Sequence, residues 1–173
     1  MSYAAVAREL ARYNRWQNES LSGTLSGIEE KELQRDRGMF FGSMLATLDH
    51  ILLVDRRLMA IIRNEETPVF DPKQRIAKNL VTWRDLRTKE DDRIIDIADK
   101  AEEDWFDEMV GFTVKRIGVS LNKPRSVFWS QLFNHQTHHR SQVTSELRHM
   151  GVDYGITDIP FNPDSLFPFF FFF

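Results

Sequence analysis

Three of the chain's five histidines lie within one short segment, NHQTHHRSQ, which spans residues 134–142. Two of them, His135 and His139, are four residues apart, so on a helix their Cβ atoms lie roughly 6 Å from each other. Two imidazoles at this spacing can bind one metal ion through bonds of about 2.0–2.1 Å. The zinc-protease helix motif uses the same spacing, but Gln136 stands where that motif has glutamate, so its mechanism is not predicted.

The helical pattern around these histidines predicts that His135 and His139 point inward. They alternate with apolar residues at steps of three and four, which is the spacing of one helix face. The members of this face are Phe128, Leu132, His135, His139, Val143 and Leu147. His138 is rotated by about 60° from this direction, so we interpret it as a surface residue or as one that supports a ligand. His149 lies near the predicted helix C-terminus, where the helix dipole favours a partly cationic imidazole.

A third metal ligand must come from another helix. His50, in LATLDHILLVD, is the only histidine in the middle of the second predicted helix, at the edge of its buried face. Helical bundles build their metal sites from such positions across the core. The spacing therefore favours a site of His50, His135 and His139, although inward histidines are also common as hydrogen-bonded core residues.

Four long helices are predicted to position these residues, because apolar residues recur at helical spacing. The predicted ranges are residues 3–22, 43–63, 73–101 and, after Pro124, residues up to Met150, where Gly151 ends the helix. Within the third helix, RDLRTKEDDR at residues 84–93 is interpreted as a solvated, ion-paired surface.

Between the third and fourth helices the spacing of apolar residues changes from helical to every second residue, because Val110, Phe112 and Val114 alternate with other residue types. This alternation predicts two short strands with a turn near Gly118. We therefore expect an all-α fold of one domain, residues 1–173. Its architecture is predicted to be a four-helix bundle with a short β-hairpin or irregular excursion before the last helix.

Composition excludes several classes of protein. The formal net charge is −3 and no basic stripe occurs, which argues against nucleic-acid binding. The chain has no cysteine, so disulfides, a thiolate nucleophile and cysteine-rich zinc sites are excluded, and any metal must be bound by nitrogen and oxygen. The N-terminus does not resemble a signal peptide, and no run of about 18 apolar residues occurs. We expect a cytoplasmic protein with no membrane association.

The chain ends in a phenylalanine-rich tail, LFPFFFFF, at residues 166–173. The tail is too short to cross a membrane, and exposed to solvent it would favour aggregation. Each phenylalanine could bury on the order of 150 Å² or more. Our hypothesis is that the tail packs on the helices of its own chain or on a partner subunit.

The segment LFNHQTHHRSQV closely resembles the motif of the DinB-like (DinB/YfiT-like) superfamily, which has a histidine, three residues, and a second histidine followed by Arg, Gly and Gln. Three further segments, YNRWQNESL, LDHILLVDRRL and HMGVDYGITDIPF, resemble the family in the same order, so the resemblance covers almost the whole chain. Ser141 departs from the motif, where the family usually has glycine; the change is small and lies outside the ligand set.

This resemblance implies a four-helix bundle, often a homodimer, with a divalent metal ion bound by three histidines. Carried over by position, these are His50, His135 and His139, the same three that the spacing favours. Three protein ligands leave an open coordination position, as in catalytic zinc sites. All-nitrogen ligation suits zinc or nickel, and the ion could lower the pKa of bound water towards about 7 or polarise a substrate oxygen.

Two classes of function stay open. The first is a metalloenzyme, either a metal-dependent hydrolase or a thiol-dependent transferase, since some relatives use a low-molecular-weight thiol as co-substrate. The alternative is a non-catalytic metal-binding stress-response dimer, which a fourth protein ligand such as Asp49 or Glu146 would favour. Polar candidates for orienting the histidine rings are Asp49, Asp55, Gln142 and Glu146. No pattern selects a substrate or a general base.

Overall fold

A computed structural model describes residues 1–67, 71, 74–114 and 117–167. The chain is mainly helical, with a small antiparallel hairpin before the last helix. The elements are α1 (Tyr3–Leu25), α2 (Glu30–Gln34), α3 (Met44–Ile62), α4 (Leu80–Lys100), α5 (Glu103–Asp107), β1 (Met109–Val114), β2 (Val119–Pro124) and α6 (Arg125–His149), followed by a single 3-10 turn at Ile159–Phe161. In these described ranges, no helix combines the length and apolar character that crossing a membrane requires.

The four long helices α1, α3, α4 and α6 correspond to the four predicted from the sequence, and the predicted hairpin is also present. Gly118 occupies the turn between the strands with φ +66°, a conformation that glycine adopts without steric cost. The short helices α2 and α5 were not predicted. The tail beyond Phe167 lies outside the described residues, so the hypothesis about its packing is not tested.

Helix α4 begins at Leu80, later than the predicted start at Lys73, which lies outside the described residues. The reason is a local cap, because the Asn79 side chain accepts a hydrogen bond from the Thr82 amide at 2.8 Å. A tertiary contact holds the non-helical segment before it on α3, since the carboxylate of Asp49 accepts hydrogen bonds from the backbone amides of residues 76 and 77.

The apolar core consists of two clusters, one at each end of the long helices. Helix α3 packs chiefly on α6, and α1 chiefly on α4. The cluster near the hairpin includes Phe106 and Trp129, whose rings meet edge to face at a centroid distance of 5.7 Å. The other cluster includes Leu52 and Trp83.

A layer of buried charged and amide side chains lies on the helices between the residues of the two apolar clusters. On α4, Arg87 donates a hydrogen bond to Asp55 of α3, and its guanidinium lies 3.1 Å from Asp91. Asp91 in turn accepts hydrogen bonds from Asn14 and Asn18 of α1, each at 3.0 Å. Removing one partner of a buried ion pair typically costs about 3–5 kcal/mol, because the remaining charge is left uncompensated. These contacts therefore constrain how α1, α3 and α4 align.

Helix α6 joins the same layer through Arg140. Its Nη1 donates to the side-chain oxygens of Asn14, Asn18 and Gln136, and all four residues are buried. The interpretation of residues 84–93 as a solvated surface is wrong for three of them, since Arg87, Glu90 and Asp91 are at most 3% exposed. Each of the three also has a partner on another helix, so the charge pattern of this one segment could not show their burial.

We expect the stability of the protein to report the titration of Asp55. Burial, offset in part by Arg87, raises the pKa of this carboxyl from 3.8 to about 7. Between these pH values the unfolded chain has released the proton while the folded chain still binds it, so stability falls as pH rises. The free energy of unfolding of the wild type, relative to Asp55→Asn, should therefore fall between pH 4 and pH 8, at up to roughly 1 kcal/mol per pH unit.

The measurement is urea denaturation across this pH range, with Asp85→Asn as control because Asp85 is exposed. Asp85→Asn should follow the wild type at every pH. A difference between wild type and Asp55→Asn that is constant with pH, or that grows as pH rises, would contradict the assigned pKa.

Candidate metal centre

The packing of α3 on α6 brings together the three histidines that the sequence singled out. One ring nitrogen from each of His50, His135 and His139 lies within 4.8 Å of the corresponding atoms of the other two. The ring centroids are 5.2 Å apart for His50 and His135, 4.9 Å for His50 and His139, and 4.4 Å for His135 and His139. Residues 85 and 89 positions apart in the chain thus converge on one point.

Apolar neighbours on both helices hold this pair of helices together. Leu52 follows His50 on α3, while Leu132 and Val143 flank the two histidines of α6, and all three apolar side chains are fully buried. His50 is buried, whereas His135 and His139 are half-buried. The group therefore lies at the edge of the α3–α6 interface, with one side accessible to solvent.

Gln142 orients the His139 ring. The Nδ1 atom of His139 lies 2.9 Å from Oε1 of Gln142, one helical turn along α6. Since an amide oxygen can only accept, Nδ1 carries the hydrogen and donates it, which leaves the lone pair on Nε2. A neighbouring hydrogen bond of this kind is the usual way in which a protein fixes the tautomer of a metal-binding histidine. Gln142 is one of the four polar candidates that the sequence suggested.

An aromatic residue that sequence reasoning missed fixes the His50 ring. Phe41, three residues before the start of α3, stacks on His50 at a centroid distance of 3.9 Å and an interplanar angle of 23°. Its ring also meets His139 edge to face, at 5.5 Å. A metal ion binds in the plane of an imidazole, so a ring stacked on its face restricts that plane without blocking the nitrogen. The signal in the sequence was the apolar run Met39-Phe40-Phe41, which follows the charged stretch QRDR at residues 34–37.

The electrostatics of the group favour neutral imidazoles. Burial, reinforced by the neighbouring histidines, lowers the pKa of His135 from 6.5 to about 3. Burial also lowers the pKa of His139, opposed by the hydrogen bond that its Nδ1 donates to Gln142. Neutral imidazole is the form that binds a metal ion. Within the described part of the chain, Nδ1 of His135 is buried and has no hydrogen-bond partner. Buried polar atoms in proteins usually have such a partner.

The donor set fits a divalent metal ion. Two nitrogens bound to one ion at about 2.0–2.1 Å lie no more than about 4.2 Å apart. The three ligand atoms, within 4.8 Å of one another, approach this limit, so small side-chain rotations suffice to bring them to one ion. Zinc and nickel both accept imidazole nitrogen as a ligand.

The carboxylates that the sequence suggested as ring-orienting or closing residues are engaged elsewhere. Asp49 accepts hydrogen bonds from Arg75 Nε at 3.1 Å and from the amides of Ile76 and Ala77, at 2.9 and 2.8 Å. Asp49 thus holds the segment before α4, and its oxygens are engaged there. Asp55 likewise pairs with Arg87 in the buried layer.

The remaining predicted residues, Glu146 and His138, are not members of the group of three histidines. Glu146 lies 3.5 Å from a ring nitrogen of His149, close to the end of α6. His138 is exposed, and its ring centroid lies 4.7 Å from that of His139. These positions agree with the interpretation of His138 as a surface or supporting residue.

The fold and the site together define a class of protein. It is a helical protein with an interhelical histidine site, formed by three histidines of α3 and α6. The model of the DinB family matches residues 1–166, and the chain belongs to the DinB family. The crystal structure of a DinB-like protein from Bacillus cereus ATCC 10987 has a similar fold, with a TM-score of 0.63 over 82% of this chain and 91% of that chain, at 17% identity. Among curated proteins none matches the sequence.

We expect the metal-free protein to lose stability in mild acid because of His135. The pKa of His135 in the folded chain is about 3, whereas an imidazole in the unfolded chain keeps its ordinary value of 6.5. Below pH 6.5 the unfolded state gains a proton that the folded state does not bind, so stability falls as pH falls. Urea denaturation in the presence of a chelator should show a steeper loss between pH 7 and pH 5 for the wild type than for His135→Asn.

His149→Asn is the matched control, since His149 is exposed. This variant should retain the steep loss of the wild type. If His135→Asn retained it too, the ring of His135 would not be the group held neutral.

Proposed function

We propose that this protein is a metal-dependent enzyme in which His50, His135 and His139 bind one divalent ion, zinc or nickel. One observation carries the proposal: ring nitrogens of these three residues, from two helices, lie within 4.8 Å of one another. The lowered pKa values of His135 and His139 support it, because they keep the rings in the metal-binding form at neutral pH.

The number of ligands favours catalysis over a purely structural role. Structural zinc sites usually have four protein ligands, whereas three ligands and an open position are typical of catalytic sites. Among the described residues, the group contains three members and no carboxylate. Asp49, the acid adjacent to His50, is held by the segment before α4 and is not free to become a fourth ligand.

The bound ion would supply Lewis acidity, which lowers the pKa of a bound water or polarises a substrate oxygen. The chain's own residues then have definite tasks. Gln142 accepts the Nδ1 hydrogen of His139 and so presents Nε2 as the ligand atom. Phe41 holds the plane of His50 and covers one face of that ring. The half-exposed sides of His135 and His139 leave a path for a substrate.

Two reaction classes are compatible with such a site, a metal-dependent hydrolase and a thiol-dependent transferase. The chain contains no cysteine, so a thiol would have to be a separate small molecule that enters as co-substrate. The four-helix-bundle arrangement, the homodimer and the cytoplasmic location expected from the sequence are also part of this proposal.

Purified without an affinity tag, the wild type should contain close to one equivalent of zinc or nickel by elemental analysis. His139→Ala should lose most of it, because removing one of three ligands leaves a weak two-nitrogen site. His138→Ala is the matched control, since this neighbouring histidine is exposed and outside the group.

Gln142→Ala should retain the stoichiometry at saturating metal but bind about 10–100-fold more weakly, as is typical when a residue that orients a ligand is removed. Equal trace metal in the wild type and in His139→Ala would refute the proposed site. Equal loss in His138→Ala and His139→Ala would point to a different ligand set.

The reaction class can be tested with metal-loaded protein. We expect turnover either of ester or amide substrates, or of electrophiles in the presence of small thiols, and we expect it to be lost in His139→Ala and kept in His138→Ala. Product formation is followed by chromatography. If the protein binds metal at full stoichiometry and turns over neither panel, the non-catalytic metal-binding dimer becomes the better description.

A further inference from the structure

A second polar pocket lies on the side of α6 opposite the three histidines. With 100° between successive helical residues, Thr137, Ser141 and Thr144 lie roughly 140–180° around α6 from the mean direction of the two histidines on that helix. They border a cavity of about 260 Å³ between α1, α6 and the segment at residues 154–157. This cavity shares no residue with the proposed metal centre.

The lining of this pocket carries one positive charge and no acid. Among the described residues that border it, Arg140 is the charged member. Seven others bear hydroxyl groups, namely Tyr13, Ser20, Thr137, Ser141, Thr144, Tyr154 and Thr157. A guanidinium surrounded by hydroxyls offers several hydrogen-bond donors and a full charge, which is the chemistry that recognises an oxyanion.

Arg140 is buried without a carboxylate in direct contact. It is 6% exposed, and the described ion pairs do not include it. The three hydrogen bonds to Asn14, Asn18 and Gln136 all leave from Nη1. Asp91 is connected to Arg140 only through the two asparagines, which donate hydrogen bonds to its carboxylate. A buried cation without an adjacent anion is costly, so a ligand anion in this pocket would relieve that cost.

The rim of the pocket is fixed before any ligand binds. The Tyr13 hydroxyl donates to the carbonyl of Thr157 at 2.6 Å, and Gln17 Nε2 donates to the carbonyl of Ile156 at 3.1 Å. These two bonds hold the segment after α6 against α1. A preformed pocket binds its ligand without the entropic cost of ordering a loop.

We propose that this pocket binds a small organic oxyanion, a carboxylate or a phosphate ester. Its volume of about 260 Å³ is below the roughly 300–1,000 Å³ of pockets that enclose drug-sized ligands, so the ligand is of small-metabolite size. Because the lining is positive, the ligand should carry negative charge. Because the lining is rich in hydroxyl groups, the ligand should be rich in oxygen atoms. The site does not require the metal ion.

The test is an NMR titration of the full chain with inorganic phosphate and, separately, with acetate, each against chloride at matched ionic strength. We expect saturable shifts at the amides of residues 137–144 and 154–157. Comparing the two probes distinguishes a phosphate from a carboxylate ligand. The same shifts should occur in His139→Ala, which separates this pocket from the proposed metal centre.

Ser141→Asp should weaken binding by at least about tenfold, because it places a carboxylate beside the guanidinium. Ser141 is exposed, so this variant is expected to fold. Gln131→Glu is the matched control: it is exposed, adds the same charge about 15 Å along the helix, and should change binding less than about twofold. Absence of saturation, shifts confined to the histidine group, or equal weakening in both variants would overturn the proposal.

Discussion

The buried layer of charged and amide side chains is the constraint on which the rest of the structure depends. Two apolar surfaces can slide past each other at modest cost, whereas a buried charge must meet its own partner. Asp55, Asp91 and Arg140 each lie on a different long helix and each finds its partners on another. Such a layer is compatible with few axial positions of α1, α3, α4 and α6. Burial of the apolar clusters on either side supplies the driving force for folding. The buried polar layer determines how the long helices align.

This alignment of the helices also positions the proposed metal centre, because neighbouring residues on α6 belong to the layer and to the centre. Gln136 and Arg140, which enter the buried layer, directly follow His135 and His139 in the chain. The buried layer therefore fixes the axial position of α6. The same axial position sets the level at which the two imidazoles face His50 on α3. Their half-buried position suits the proposed function, because deeper burial would block access to the rings, while full exposure would remove the desolvation that lowers their pKa values.

The convergence of the three histidines was predictable because helical periodicity reports which residues share a face, and His50, His135 and His139 all lie at inward positions. The hairpin was predictable for a similar reason, from its two-residue alternation. The start of α4 has a local signal in the Asn79 cap, whereas the engagement of Asp49 depends on hydrogen bonds between residues 26–28 positions apart, which no local pattern encodes. The burial of Arg87 and the stacking of Phe41 also depend on contacts between residues that are distant in the chain, and local sequence reasoning missed both.

The engagement of Asp49 has a consequence for the chemistry of the proposed site. An acid adjacent to His50 could have become a ligand, and a carboxylate ligand would have neutralised part of the charge of a divalent ion. Because the backbone amides of Ile76 and Ala77 and the guanidinium of Arg75 occupy its oxygens, the proposed donor set consists of three imidazoles and no carboxylate. An ion bound by such a set would keep its full charge. In the proposed function it would be a stronger Lewis acid, and would attract an anionic oxygen or a thiolate sulfur more strongly, than an ion with a carboxylate ligand.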